Sequence, residues 1–282
     1  MTSEFVLTLS CPERPGILHA VTSFLLGHGC DITEHQQFDD AESVFLRTSF
    51  SGPADGVTLD ELRDTFVPVA ADFGMEWQLR DAAVKPRVLV MVSKFDHCLA
   101  DLLYRWRSNA LDAEIVLVVS NHPDLEHLAA AEGVPFQHVP VTAATKPEAE
   151  ARLLELVEEH DIDLVVLARY MQVLSDDLCK QLEGRAINIH HSFLPSFAGA
   201  KPYHQAHRRG VKLVGATAHY VTADLDEGPI IEQEIIRVDH RAGPERLVTV
   251  GRDAERLALA RAVNWHCQGR ILLQGNRTVV FS

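Results

Sequence analysis

Residues 87–93 (RVLVMVS), 113–120 (AEIVLVVS) and 163–168 (DLVVLA) form three nearly continuous apolar runs. Val- and Leu-rich runs without polar alternation belong to parallel strands covered on both faces. Helical spacing fills the intervals at about 96–107, 122–132 and 146–160. Strand, helix, strand in repetition predicts a doubly wound, Rossmann-like α/β sheet. Ligands in such sheets sit beyond the carboxyl ends of the strands, so the informative residues should follow Val92, Ser120, Ala168 and Ile189.

Upstream of Pro86 the texture differs. Residues 4–10 (EFVLTLS) read as a short strand that ends at the breakers in CPERPG. Ile17, Leu18, Val21, Phe24 and Leu25 then fall at helical spacing, closed by Gly27 and Gly29. DITEHQQFDD and SVFLRTSF follow as strands around the acidic turn Asp39–Asp40, then a helix over 57–72 and a strand at 75–79. The order βαββαβ is that of a ferredoxin-like unit. The expected domains are therefore 1–81, a linker at 82–86 (AAVKP) and an α/β domain over 87–282.

The 282 residues suit two unequal domains, and 46% apolar with 23% charged residues is an ordinary globular balance. Forty acids against 26 bases leave a net charge of −14, which argues against nucleic acid, since gripping phosphates takes clustered Lys and Arg. No apolar run approaches the ~20 residues of a membrane helix, so no membrane partner is expected. The start, MTSEFVLTLSCPERPG, lacks a basic n-region and does not read as a signal peptide. Five scattered cysteines, with no CxxC and no zinc-finger spacing, predict reduced thiols in a cytoplasmic protein.

The densest polar cluster is 187–207, INIHHSFLPSFAGAKPYHQAH. A strand alternates faces, so Asn188 and His190 point to one side at a strand's carboxyl end. An amide and an imidazole so placed can converge on one carbonyl oxygen. In HYVTADLDEGPII, residues 219–231, Asp224, Asp226 and Glu227 fall in a turn after His219. Asn, His and Asp together offer an oxyanion donor, an acid–base and an orienting carboxylate. Each also has a plainer reading. Asn188 can bond loop backbone, His191 can be a packed or solvated neighbour, and Asp226 can simply form a turn before Gly228 and Pro229. No metal site is expected, since adjacent His residues on a strand diverge and HExxH is absent.

INIHHSFLP, GAKPYHQA, GATAHYV and LDEGPIIEQE resemble the folate-dependent formyltransferase family from about Pro86 onward. LVTVGRDAERLALARAV and GNRTVVF resemble its hydrolytic subgroup, and CPERPGILHAVTSFL resembles the ACT domain that this subgroup carries. The resemblance implies a hydrolase acting on a linear amide. It would cleave 10-formyltetrahydrofolate to tetrahydrofolate and formate, supplying formate for purine synthesis and balancing the one-carbon pool. It implies Asn188, His190 and Asp226 as the catalytic trio, with His191 and His219 in support. Tyr170, Met171, Gln172, Val173 and Leu174 would hold the folate ring, although alone that stretch reads as strand end and core. Folate is then the substrate, and no metal or other cofactor is needed.

Transformylases of the family place a Gly-rich phosphate loop after the first strand; here Ser93, Lys94, Phe95, Asp96 and His97 stand there. A Gly-poor loop with Asp96 suits a ribonucleotide acceptor badly and leaves water as the nucleophile. The ACT likeness implies a homo-oligomer and an amino-acid effector, glycine or methionine, near Gly16, Asp31 and Ile32. Two alternatives stay open, a formyl transferase to a small amine and an amino-acid-binding regulator.

Overall fold

The computed structural model describes residues 3–54, 56–195 and 202–282. The chain divides into two compact units, one of residues 1–85, 268–274 and 278–282, the other of residues 86–267 and 275–277.

The first unit runs β1 (Glu4–Pro12), α1 (Ile17–Gly27), β2 (Asp31–Asp39), β3 (Ser43–Ser51), α2 (Leu59–Phe73) and β4 (Glu76–Asp81). Its sheet has the order β2-β3-β1-β4 with every neighbour antiparallel, the ferredoxin-like arrangement that the element order predicts. Phe5, Leu7, Leu9 and Cys11, alternate residues of β1, pack with Val21 and Phe24 of α1 and Leu62 and Phe66 of α2 in one core. The Thr58 side chain accepts from the Glu61 backbone N–H and starts α2, and Gly74 ends it in the left-handed conformation.

The C-terminal hairpin, Ile271–Gln274 and Arg277–Val280, differs from the sequence expectation, which assigns it to the α/β domain. Apart from its turn it clusters with the first unit. Leu272 and Phe281 cover Phe45 of β3 in a small apolar core. Beside them Arg47, only 4% exposed, pairs with Glu34 and donates to the Gln268 carbonyl. An apolar patch on a helix-free sheet face needs a cover, and this segment supplies it.

The second unit is a seven-stranded sheet. It comprises β5 (Arg87–Val92), α3 (His97–Arg107), β6 (Glu114–Ser120), α4 (Glu126–Ala131), β7 (Phe136–His138) and α5 (Lys146–Glu159). There follow β8 (Leu164–Leu167), α6 (Asp176–Gln181), β9 (Ala186–His190), α7 (Pro202–Arg209), β10 (Leu213–Tyr220), β11 (Ile230–Arg237) and α8 (Pro244–Cys267). The order β7-β6-β5-β8-β9-β10-β11 makes β5 and β8 the place where the winding reverses. The strands from β7 to β9 are parallel. β10 runs antiparallel to both β9 and β11, so this edge of the sheet is mixed. That reversal sets Asn188 opposite His219 and His190 opposite Thr217.

Two glycines permit close approaches at this edge. A Cβ on Gly215 would lie 2.3 Å from the Glu234 carbonyl oxygen, and one on Gly228 would lie 1.9 Å from that of Tyr220. Among the described residues no helix is long and apolar enough to cross a membrane. All five cysteines are free thiols.

Candidate active site

The carboxyl end of β9 and the facing strand β10 bring Asn188, His190 and His219 together, and the turn after β10 adds Asp226. Asn188 Nδ2 lies 3.2 Å from His219 Nε2. The His219 Nδ1–H donates to the Tyr220 carbonyl at 2.8 Å, so in the neutral ring Nε2 is the acceptor for the amide. His190 Nδ1 lies 3.1 Å from Asp226 Oδ2, and Asp226 Oδ1 lies 3.6 Å from His219 Nε2. Asp226 sits at φ 59°, a left-handed turn position that Asp tolerates better than most residues. Burial raises the Asp226 carboxyl, but the hydrogen bond and charge of His190 outweigh it and hold the group well below the usual carboxylate range.

His190 is 9% exposed, and its Nε2 has no hydrogen-bond partner among the described residues. A buried unpartnered nitrogen is costly unless something else pairs with it. His191 stacks obliquely on His190 at 4.9 Å between ring centroids. Burial, then the charges of Arg169 and His190, push its imidazole down to about 4. His191 is therefore a neutral neighbour at pH 7. Asp224 and Glu227 stay in the turn, with the Glu227 N–H donating to the Asp224 carbonyl.

Asn188, His190, His191, His219 and Asp226 line a cleft of about 270 Å³. Its other wall is the segment after β8, where Tyr170, Met171, Gln172, Val173 and Leu174 all face the cavity. Met171 and Val173 are 52% and 58% exposed, apolar groups left open beside a polar cluster. The segment is anchored from beneath. The Met171 N–H donates to Ser93 Oγ at 3.0 Å, and Ser93 Oγ donates to Asn121 Oδ1 at 2.6 Å. Burial, then Glu150, raises the Tyr170 hydroxyl to about 12, so it remains a donor. On the far side, Thr217 of β10 receives the Leu194 N–H and donates to the Ser192 carbonyl, which fastens the loop after β9. The rest of the polar stretch singled out by sequence, residues 196–201, lies outside the described residues.

Behind the cleft is a buried acid that sequence reasoning missed. Glu255 on α8 is 1% exposed. It accepts from the Tyr203 hydroxyl at 2.8 Å and from His97 Nε2 at 2.7 Å, and it lies 3.4 Å from Arg169 Nε. A Cβ on Gly251, one turn earlier, would lie 2.1 Å from the Tyr203 ring, so glycine there lets the ring reach Glu255. His97, Cys98 and Glu255 place three potential ligand atoms within 4.8 Å of one another. The carboxylate is nonetheless already engaged by a tyrosine, a histidine and an arginine, which is a set built for an anion rather than a cation. Arg169 also lines the cleft and was missed. It stands where an apolar strand run simply ends, and only the fold turns it inward. Glu255 resembles one of the solvated acids of a charged helix.

In the first unit, Gly16 precedes α1 at φ 98°, and Asp31 and Ile32 open the exposed strand β2.

Residues 86–263 match the formyl transferase family. A formyltetrahydrofolate deformylase of Corynebacterium sp. (strain P-1) is 59% identical over 277 residues, 98% of this chain and 97% of that protein. The crystal structure of the Burkholderia mallei formyltetrahydrofolate deformylase superposes with a TM-score of 0.95 at 55% identity, covering 99% of this chain and all of the other. That of the Pseudomonas syringae enzyme gives 0.96 at 48% identity, over 100% and 95% of the two chains. With both units matched along their length, the chain belongs to the formyltetrahydrofolate deformylase family.

Proposed function

We propose that the chain hydrolyses 10-formyltetrahydrofolate to tetrahydrofolate and formate at the cleft between residues 169–174 and the ends of β9 and β10. The observation that carries this reading is the pairing of Asp226 with His190 Nδ1, which leaves His190 Nε2 unpartnered among the described residues at a cleft that Asn188 also lines. The folate ring enters along Tyr170–Leu174, with Met171 and Val173 against its faces and backbone groups at its polar edge.

Water adds to the formyl carbon, and negative charge develops on the formyl oxygen. Asn188 Nδ2 has a second N–H beyond the one it gives His219, and that N–H can donate to the oxyanion. A proton on His190 Nε2 supplies the second donor, and each such preorganised donor lowers the barrier by about 3–4 kcal/mol. Asp226, ionised throughout the physiological range, holds the His190 ring through Nδ1 and accepts the proton that water gives up. The N10–carbon bond then breaks, N10 takes the proton that water gave up, and formic acid leaves, losing its own proton to become formate. His219 positions Asn188, and neutral His191 lines the site. No step requires a metal or a redox group.

The ferredoxin-like unit is read as an ACT-type regulatory and oligomerisation domain, with Gly16, Asp31 and Ile32 at a site for glycine or methionine. The formate produced would feed purine synthesis. Following formate and tetrahydrofolate together, with no acceptor present, tests the hydrolysis. Equal release supports it, and formyl that leaves the folate only when an amine is added makes the protein a transferase.

A further inference from the structure

Arg169 has three unusual properties at once. Its backbone is left-handed at φ 67°, a conformation that a long side chain adopts only when its surroundings impose it. It is 9% exposed, and Nε has no hydrogen-bond partner among the described residues although Glu255 Oε2 is 3.4 Å away. Its guanidinium lies 5.1 Å from the Phe95 ring centroid, and the residue lines the cleft. Backbone strain and a desolvated cation are both costly, so the fold holds the side chain there against its local preference.

The location gives this a purpose. Phe95 and His97 follow β5, and Arg169 follows β8, so they stand at the winding reversal where a doubly wound sheet normally receives a ligand. Here protein groups face one another instead, His97 with Glu255, Arg169 against Glu255 and Phe95, and Ser93 with Asn121. The cleft lies between the end of β8 and the ends of β9 and β10.

We propose that Arg169 is a specificity-determining residue: pinned by Glu255 and covered by Phe95, it walls off the space beside the formyl group, so that water reaches the formyl carbon and a primary amine does not. The proposal rests on the hydrolytic reading of the same cleft. With the wall removed, an amine takes the place of water. Its nitrogen bonds to the formyl carbon, the N10–carbon bond breaks, and the proton released by the amine goes to N10, so that an N-formyl amide forms instead of formate.

The test uses the full chain with 10-formyltetrahydrofolate, with and without excess glycinamide, following tetrahydrofolate, formate and N-formylglycinamide. The wild type should release formate and tetrahydrofolate equally in both mixtures. R169G, where glycine suits the left-handed backbone, should divert formyl to glycinamide, raising N-formylglycinamide by about tenfold or more. R169M keeps the bulk without the charge, so whatever its rate the formyl group should go to water rather than to glycinamide. If R169G does not fold, R169A reads the same ratio. Formate equal to tetrahydrofolate in folded R169G or R169A with glycinamide present overturns the proposal, as does transfer by wild type or R169M. Absence of formate from the wild type without glycinamide would instead overturn the hydrolytic reading.

Discussion

His190 Nδ1 lies 3.1 Å from Asp226 Oδ2, an arrangement that commits one ring nitrogen to the carboxylate and leaves Nε2 without a partner among the described residues. The pair comes from two elements, the end of β9 and the turn after β10, joined because β10 runs antiparallel beside β9. Asp226 then works through its own oxygens and through the orientation it imposes on the imidazole.

The pH dependence of stability carries a mark of His191. Its folded-state value of about 4 lies below the ordinary 6.5, through burial and then the cations Arg169 and His190, against the opposing Glu255 and Asp226. Between these values the unfolded chain binds a proton that the folded chain refuses. Stability is therefore lost as pH falls through this window, by up to about 3 kcal/mol. Urea unfolding of wild type and H191N at pH 7 and pH 5 should show a drop smaller by about 2 kcal/mol in the variant. Equal drops would mean that His191 is not held neutral.

Gly251 and Tyr203 should be energetically coupled. G251A puts a methyl group where the Tyr203 ring lies, and such overpacking costs about 1–3 kcal/mol. In a Y203A background the same change should cost close to nothing. A cost unchanged by Y203A in denaturant unfolding would show that the clash is relieved elsewhere.

Ser93 supports the folate-side segment through the Met171 N–H. S93A leaves that N–H without its side-chain acceptor, a loss of about 1–3 kcal/mol that the segment can escape only by shifting. The expected result is a KM raised by about tenfold with kcat less affected. A fall in kcat at unchanged KM would place Ser93 in the chemistry.

Much of this architecture is legible in the chain, for reasons particular to each element. The unbroken apolar runs at Val88–Val92 and Leu164–Leu167 can only be strands buried on both faces. Strand alternation alone sets Asn188 and His190 on one side. The antiparallel insertion of β10 leaves no comparable mark, because LVGATAHY differs little in texture from the parallel strands of the same sheet. Glu255 and His97 form their pair 158 residues apart in sequence, and nothing local distinguishes either from a solvated residue on a helix. The C-terminal hairpin is likewise assigned by what it covers, Phe45, rather than by its own sequence.

Replacing Asp226 with Asn tests the central claim most directly. The isosteric amide keeps the turn and a contact to His190 but can neither take a proton from water nor hold the ring by charge. D226N should melt near the wild type, still bind a non-hydrolysable folate analogue, and lose at least about 10²-fold in kcat. Formate release by folded D226N at the wild-type rate would contradict the assignment of water activation to the Asp226–His190 pair.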